Sequence, residues 1–115
     1  TQRLPRAIGC ALAMELMMTG EPVTGARAAE IGLVNDAVPL EALDARAQAL
    51  AKVVASRSPV GLRKIKQLVY EGLEMPVREG VKQEREGLLQ ILSSKDYAEG
   101  LAAFAERRPP KFTGA

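Results

Sequence analysis

The sequence predicts a mainly helical fold, with one short extended stretch and no paired sheet. Apolar residues recur at helical intervals along five segments. Those segments are divided by Gly, Pro and Ser/Thr where helices start and stop. The one stretch rich in β-branched residues is too short and too isolated to build a sheet.

Ile8, Leu12, Leu16 and Met17 form the stripe of a first helix. Thr19-Gly20 stops it, with Gly where a left-handed backbone is tolerated. Pro5 stands either just inside the start or at a break between a short first helix and the main one. Glu21-Pro22-Val23 is extended, because a residue before proline avoids the helical region. Thr24 offers an N-cap to a two-turn helix over 25–31, which Gly32 ends. Residues 33–39 read as extended strand or loop packed against helices. Over 40–57, Leu43, Ala47, Leu50 and Val54 keep a clear helical period.

Ser58-Pro59 is a strong start signal, an N-cap followed by proline in the first turn. The helix it opens carries Leu62, Ile65, Leu68 or Val69, and Leu73 on one face, with Lys64, Lys66 and Gln67 away from its centre. Glu74-Met75-Pro76 breaks that helix. Val77, Val81, Leu88 and Leu92 then share a stripe, interrupted by Glu84 and Arg85, so part of this helix faces water or a polar partner. Ser94 caps a last helix bearing Tyr97, Leu101 and Phe104. Arg107, Arg108, Pro109 and Pro110 end it, with cations at the negative end of the helix dipole. Residues 111–115 are expected to be a tail.

Composition excludes several chemistries. The 115 residues are one domain or a piece of one, and 47% apolar with 26% charged is ordinary for a globular chain. Only 3% are aromatic and none is Trp, so the core must be aliphatic and thin, leaning on a partner subunit or a further domain. The absence of His removes Ser-His-Asp and Cys-His catalysis and imidazole-bound metals. Cys10 is alone, which leaves no internal disulfide, redox pair or cysteine zinc site, and it is expected to be a small core residue. A net charge of +2 is too little for a general nucleic-acid or membrane surface. No apolar run approaches the roughly 20 residues of a membrane span, and no signal-peptide core is visible. The expectation is a soluble protein of a reducing compartment, the cytoplasm. The chain opens at Thr1 without Met, which either Met removal or truncation would explain.

Few residues stand out as chemical. The fourteen carboxylates are expected mostly on wet faces; Glu15, beside the stripe of Leu12 and Leu16, is either a tuned general acid or base or a rim charge. No phosphate-binding glycine loop occurs. Arg107, Arg108 and Lys111, held off-helix by Pro109 and Pro110, either grip phosphate or carboxylate or form a solubilising basic tail. Met14, Met17 and Met18 either line a ligand surface or, more commonly for such residues, fill a core.

The order of motifs resembles the C-terminal half of the crotonase superfamily, the enoyl-CoA hydratase/isomerase family. The opening Thr1-Gln2-Arg3-Leu4-Pro5-Arg6 is similar to the stretch that follows that family's Gly-Gly pair. Residues 13–20, AMELMMTG, resemble its helix end, and 26–35, ARAAEIGLVN, its most specific segment here. Val38-Pro39, Ser58-Pro59 and the ending 104–114, FAERRPPKFTG, also fit. The likeness runs from residue 1 to residue 115.

The resemblance implies the helical C-terminal part of a crotonase (ClpP/crotonase-like) fold, which mediates trimerisation and covers CoA, with the ββα spiral core absent. It divides the chain into 1–39, which would abut that core, and 40–115, the C-terminal helical domain. It also resolves the bare Thr1 towards truncation. The implied activity is oxyanion-stabilised enolate chemistry on acyl-CoA thioesters, with hydration of 2-enoyl-CoA in fatty acid oxidation as the leading case. CoA enters as part of the substrate, and no covalently bound cofactor or metal is implied. Catalytic residues are expected upstream of Thr1, and none falls within this chain. By resemblance, Arg107 reaches a CoA phosphate and Leu88 packs beside the adenine or pantetheine region, Leu lacking the stacking of the usual aromatic. Partners are the acyl-CoA substrate and copies of the chain, as a trimer or dimer of trimers, without nucleic acid or membrane. The rival reading is a non-catalytic helical interaction module derived from the family.

Overall fold

A computed structural model describes residues 1–115. It contains α1 (Arg3–Ile8), α2 (Cys10–Thr19), α3 (Gly25–Glu30), α4 (Leu40–Ala55), α5 (Pro59–Gly72), α6 (Val77–Leu92) and α7 (Lys95–Ala105). With 69% helix and no strand, the helical expectation holds, and residues 33–39 are loop. By its contacts the chain divides inside α4 into two units, Thr1–Gln48 and Ala49–Ala115.

In the first unit α1 packs on α2, and the break between them is at Gly9 rather than at Pro5. Gly9 has φ 84° and ψ 155°, a region open essentially to glycine alone. Its N–H still donates to the Pro5 carbonyl, while its own carbonyl accepts from Ala13 N at 3.1 Å. The stripe that the spacing assigns to one helix is therefore shared by two, with Ile8 on α1 and Leu12, Leu16 and Met17 on α2.

The Thr24 cap forms as expected, its Oγ1 accepting from Arg27 N at 3.2 Å. α3 ends in a Schellman turn: Leu33 N donates to the Ala28 carbonyl and Gly32 N to that of Ala29, with Gly32 at φ 77°. Beyond it, Arg46 Nε donates to Asp36 at 2.7 Å. That bond, with one from Ala37 N, holds the Asp36 carboxyl below its usual range.

In the second unit α5 packs on α6, and α6 on α7. Ser58 and Ser94 cap α5 and α7, accepting from Gly61 N at 3.2 Å and from Tyr97 N at 3.1 Å. α6 packs tightly on α5 at the buried Gly87, where an added Cβ would stand 2.9 Å from Leu68 Cδ1.

The interior is as thin as composition implies: the buried apolar residues are Ala13, Ala28 and Ala103. Cys10 is exposed, which corrects its expected place in the core. The reason is that this end of the chain offers no layer to cover it. The same holds for Met14, Met17 and Met18, all exposed, with Met18 81% accessible. The methionines line a shallow groove of about 530 Å³ together with Thr1, Pro5 and Cys10. No helix is long and apolar enough to cross a membrane.

Candidate functional site

The basic segment after α7 is where sequence and structure converge on chemistry. α7 ends in a second Schellman turn. Arg107 N donates to the Phe104 carbonyl at 3.2 Å, and Arg108 N to that of Ala103 at 3.0 Å. That geometry requires a left-handed residue at Arg107, which has φ 54°, the one non-glycine residue of positive φ. A side chain in this region costs about 1–2 kcal/mol relative to the right-handed form.

Residues 111–115 are not the loose tail that composition suggests. Two carboxylates of α7, Asp96 in its first turn and Glu99 one turn on, hold them. Glu99 takes Arg108 in a fork, from Nη1 at 2.5 Å and Nη2 at 2.9 Å, and also accepts from Lys111 N at 2.7 Å. Arg108 Nε meets Glu106 as well, so its guanidinium lies between two acids. Asp96 accepts from Thr113 N at 2.8 Å, from Gly114 N at 3.0 Å and from the Ser58 hydroxyl at 2.7 Å. Arg63 adds a bond to the Gly114 carbonyl at 3.2 Å.

The electrostatics follow from these contacts. The Arg108 fork, helped by the Lys111 N–H, pulls the Glu99 carboxyl down to about 2. Glu99 in turn raises Arg108 above its ordinary value, and Glu106 adds to this. Burial pushes Asp96 up, but its bonds from Ser58, Thr113, Gly114 and Val60 outweigh that and leave it below the usual carboxylate range.

Asp96 is 2% accessible, which corrects its expected place on a wet face; a carboxylate with this many donors can be buried stably. Its partner Ser58 lies 38 residues away, so no local pattern announced the contact. The signal available in the sequence was weaker: two acids three residues apart, followed by a cluster of cations and a glycine.

Of the three cations, Arg108 is consumed within the chain, and the Lys111 backbone is fixed. The exposed Arg107 takes part in no ion pair or side-chain hydrogen bond. A neighbouring groove of about 420 Å³ includes Arg57 and Lys111 among its lining residues, with Pro59, Pro109, Pro110 and Phe112. Neither Arg107 nor Leu88 lines it. Arg57 carried no sequence signal. Leu88 lies on α6, half exposed at 52%. Glu15 is a rim charge: its side chain is exposed and without an ion pair, and only its carbonyl is used, by the Thr19 hydroxyl.

The enoyl-CoA hydratase/isomerase family model matches residues 1–115. The chain belongs to the enoyl-CoA hydratase/isomerase family. Among relatives, enoyl-CoA hydratase domain-containing protein 2, mitochondrial, of Mus musculus is 42% identical over 99% of this chain and 40% of its own length. The (E)-benzylidenesuccinyl-CoA hydratase of Thauera aromatica is 38% identical over 100% of this chain and 45% of its own. A solved enoyl-CoA hydratase from Bacillus anthracis superimposes with a TM-score of 0.95 at 36% identity, covering 99% of this chain and 44% of that one. The chain thus spans less than half the length of these family members, and corresponds to the C-terminal helical part of the crotonase fold. The ββα spiral core of the family is not among its seven helices.

Proposed function

We propose that this chain is the CoA-covering and assembly part of an enzyme that acts on acyl-CoA thioesters, with hydration of a 2-enoyl-CoA as its reaction. The observation that carries the reading is the family match along the whole chain, joined to relatives named as hydratases of CoA thioesters. The chemistry would proceed through a thioester enolate whose developing oxyanion is held by backbone N–H groups. Those groups, and the acids that add water, would stand on the family's spiral core.

What this chain contributes is binding. Arg107 would bind a CoA phosphate: its planar fork pairs with phosphate oxygens, and unlike Arg108 it has no ion pair within the chain. Leu88 would pack on the adenine or pantetheine portion, offering half its surface to it. The exposed stripes of α4, α5 and α6 would meet other copies of the chain, as a trimer or dimer of trimers.

The test is turnover. A protein that joins this chain to a family spiral core is expected to hydrate crotonyl-CoA, and the 115 residues alone are expected not to. Turnover by the repurified 115-residue chain, or none by the joined protein, would overturn the reading.

A further inference from the structure

We propose that Glu99 is a positioning residue for Arg107: by holding Arg108 and the Lys111 backbone, it fixes the turn from which Arg107 projects to a phosphate. The inference rests on the reading of Arg107 as the CoA-phosphate ligand. Three observations lead to it. Arg107 and Arg108 are adjacent, yet only Arg108 is engaged, through a fork to Glu99 and a bond to Glu106. Arg107 sits at the left-handed position of the Schellman turn, with its own N–H and that of Arg108 both committed to α7 carbonyls. On the far side, Glu99 also takes the Lys111 N–H, and Asp96 takes those of Thr113 and Gly114.

The backbone of Arg107 is therefore clamped from both directions while its side chain stays unused. Left-handed backbone at a non-glycine residue persists only where its surroundings over-determine it, and it gathers at ligand clamps. A mobile turn would lose ordering entropy on binding phosphate; a turn already fixed by Glu99 does not. Without the Glu99 fork, Arg108 would also be free to compete with Arg107 for the same anion.

The test is a double-mutant cycle on the full chain, with CoA as the probe in calorimetry and circular dichroism melting alongside. Arg107→Ala is expected to weaken CoA binding about tenfold, the loss of a charge-assisted hydrogen bond. Glu99→Gln is expected to weaken it about threefold to tenfold, and to have almost no effect once Arg107 is Ala. Arg108→Lys keeps the charge but loses the fork, so it should behave like Glu99→Gln, and it decides the matter if that variant does not fold. If Glu99→Gln or Arg108→Lys leaves CoA binding unchanged, or weakens it equally in the Arg107→Ala background, the positioning role is overturned while the Arg107 reading stands. If Arg107→Ala binds CoA as well as the unaltered chain, or the chain binds none, the Arg107 reading itself fails and the positioning role with it.

Discussion

At Glu99, two nitrogens of Arg108 and the backbone N–H of Lys111 converge on one carboxylate. They bring its ionisation from the ordinary 4.5 to about 2. Because the folded group ionises at lower pH than the unfolded one, the unfolded chain binds more protons between those values, and stability rises with pH across them. The contribution is fully present above 4.5 and is lost as pH falls towards 2. Asp96 and Asp36, also held below their usual range, act in the same direction. Denaturant midpoints should drop as the pH is lowered through this window, and Glu99→Gln should flatten part of the slope; an unchanged slope would show that the fork contributes nothing. Arg108 was legible as a basic residue near a helix end, but its task was not. Whether a cation is spent internally or left for a ligand depends on which acids the fold brings to it.

At the scale of elements, the local signals were reliable wherever a single turn of chain decides the outcome. Thr24, Ser58 and Ser94 all cap as their spacing predicts, and Gly20 takes the left-handed position. At the N-terminal end Pro5 lies just inside α1, the first of the two places its sequence allows, and Gly9 makes the break to α2. Proline is tolerated in a first turn, because its missing N–H has no intrahelical partner there. Packing between elements is a different matter: Gly87 reads in the sequence only as a weak helix residue, yet it is where α6 meets Leu68 and Lys64 of α5. Gly87→Leu is expected to destabilise the chain by about 1–3 kcal/mol through overpacking, which outweighs the gain in helix propensity of about 1 kcal/mol. Chemical denaturation would check it, and a variant as stable as the parent would show that the two helices separate at little cost.

At the scale of the molecule, the apolar residues outnumber the interior available to them. Leu43, Leu50 and Val54 on α4, Ile65 and Val69 on α5 with Leu73 just past its end, and Val77, Val81 and Leu88 on α6 are all exposed. A groove of about 390 Å³ between α5 and α6 is lined by Ile65, Leu68, Val69, Val77, Val81 and Glu84, among others. Patches of this extent exceed what soluble monomers usually carry. The isolated chain is therefore expected to associate, and sedimentation should find no stable monomer at micromolar concentration. A monomer that melts cooperatively would count against the assembly role.

By itself the sequence determined the helices, their caps and the family, because each depends on neighbours within a few residues or on motifs kept in order along the chain. It also determined that the core would be thin, since composition limits how much apolar bulk can be enclosed. Only the tertiary structure decided which charges are spent inside the chain. Asp96 reaches Ser58 across 38 residues and Glu99 reaches Arg108 across nine, and each bond forms because α5, α7 and the C-terminal segment come together. That meeting buries one carboxylate, neutralises one arginine and leaves Arg107 exposed. No pattern of neighbouring residues carries such an outcome, because it depends on the distances between groups that folding brings together.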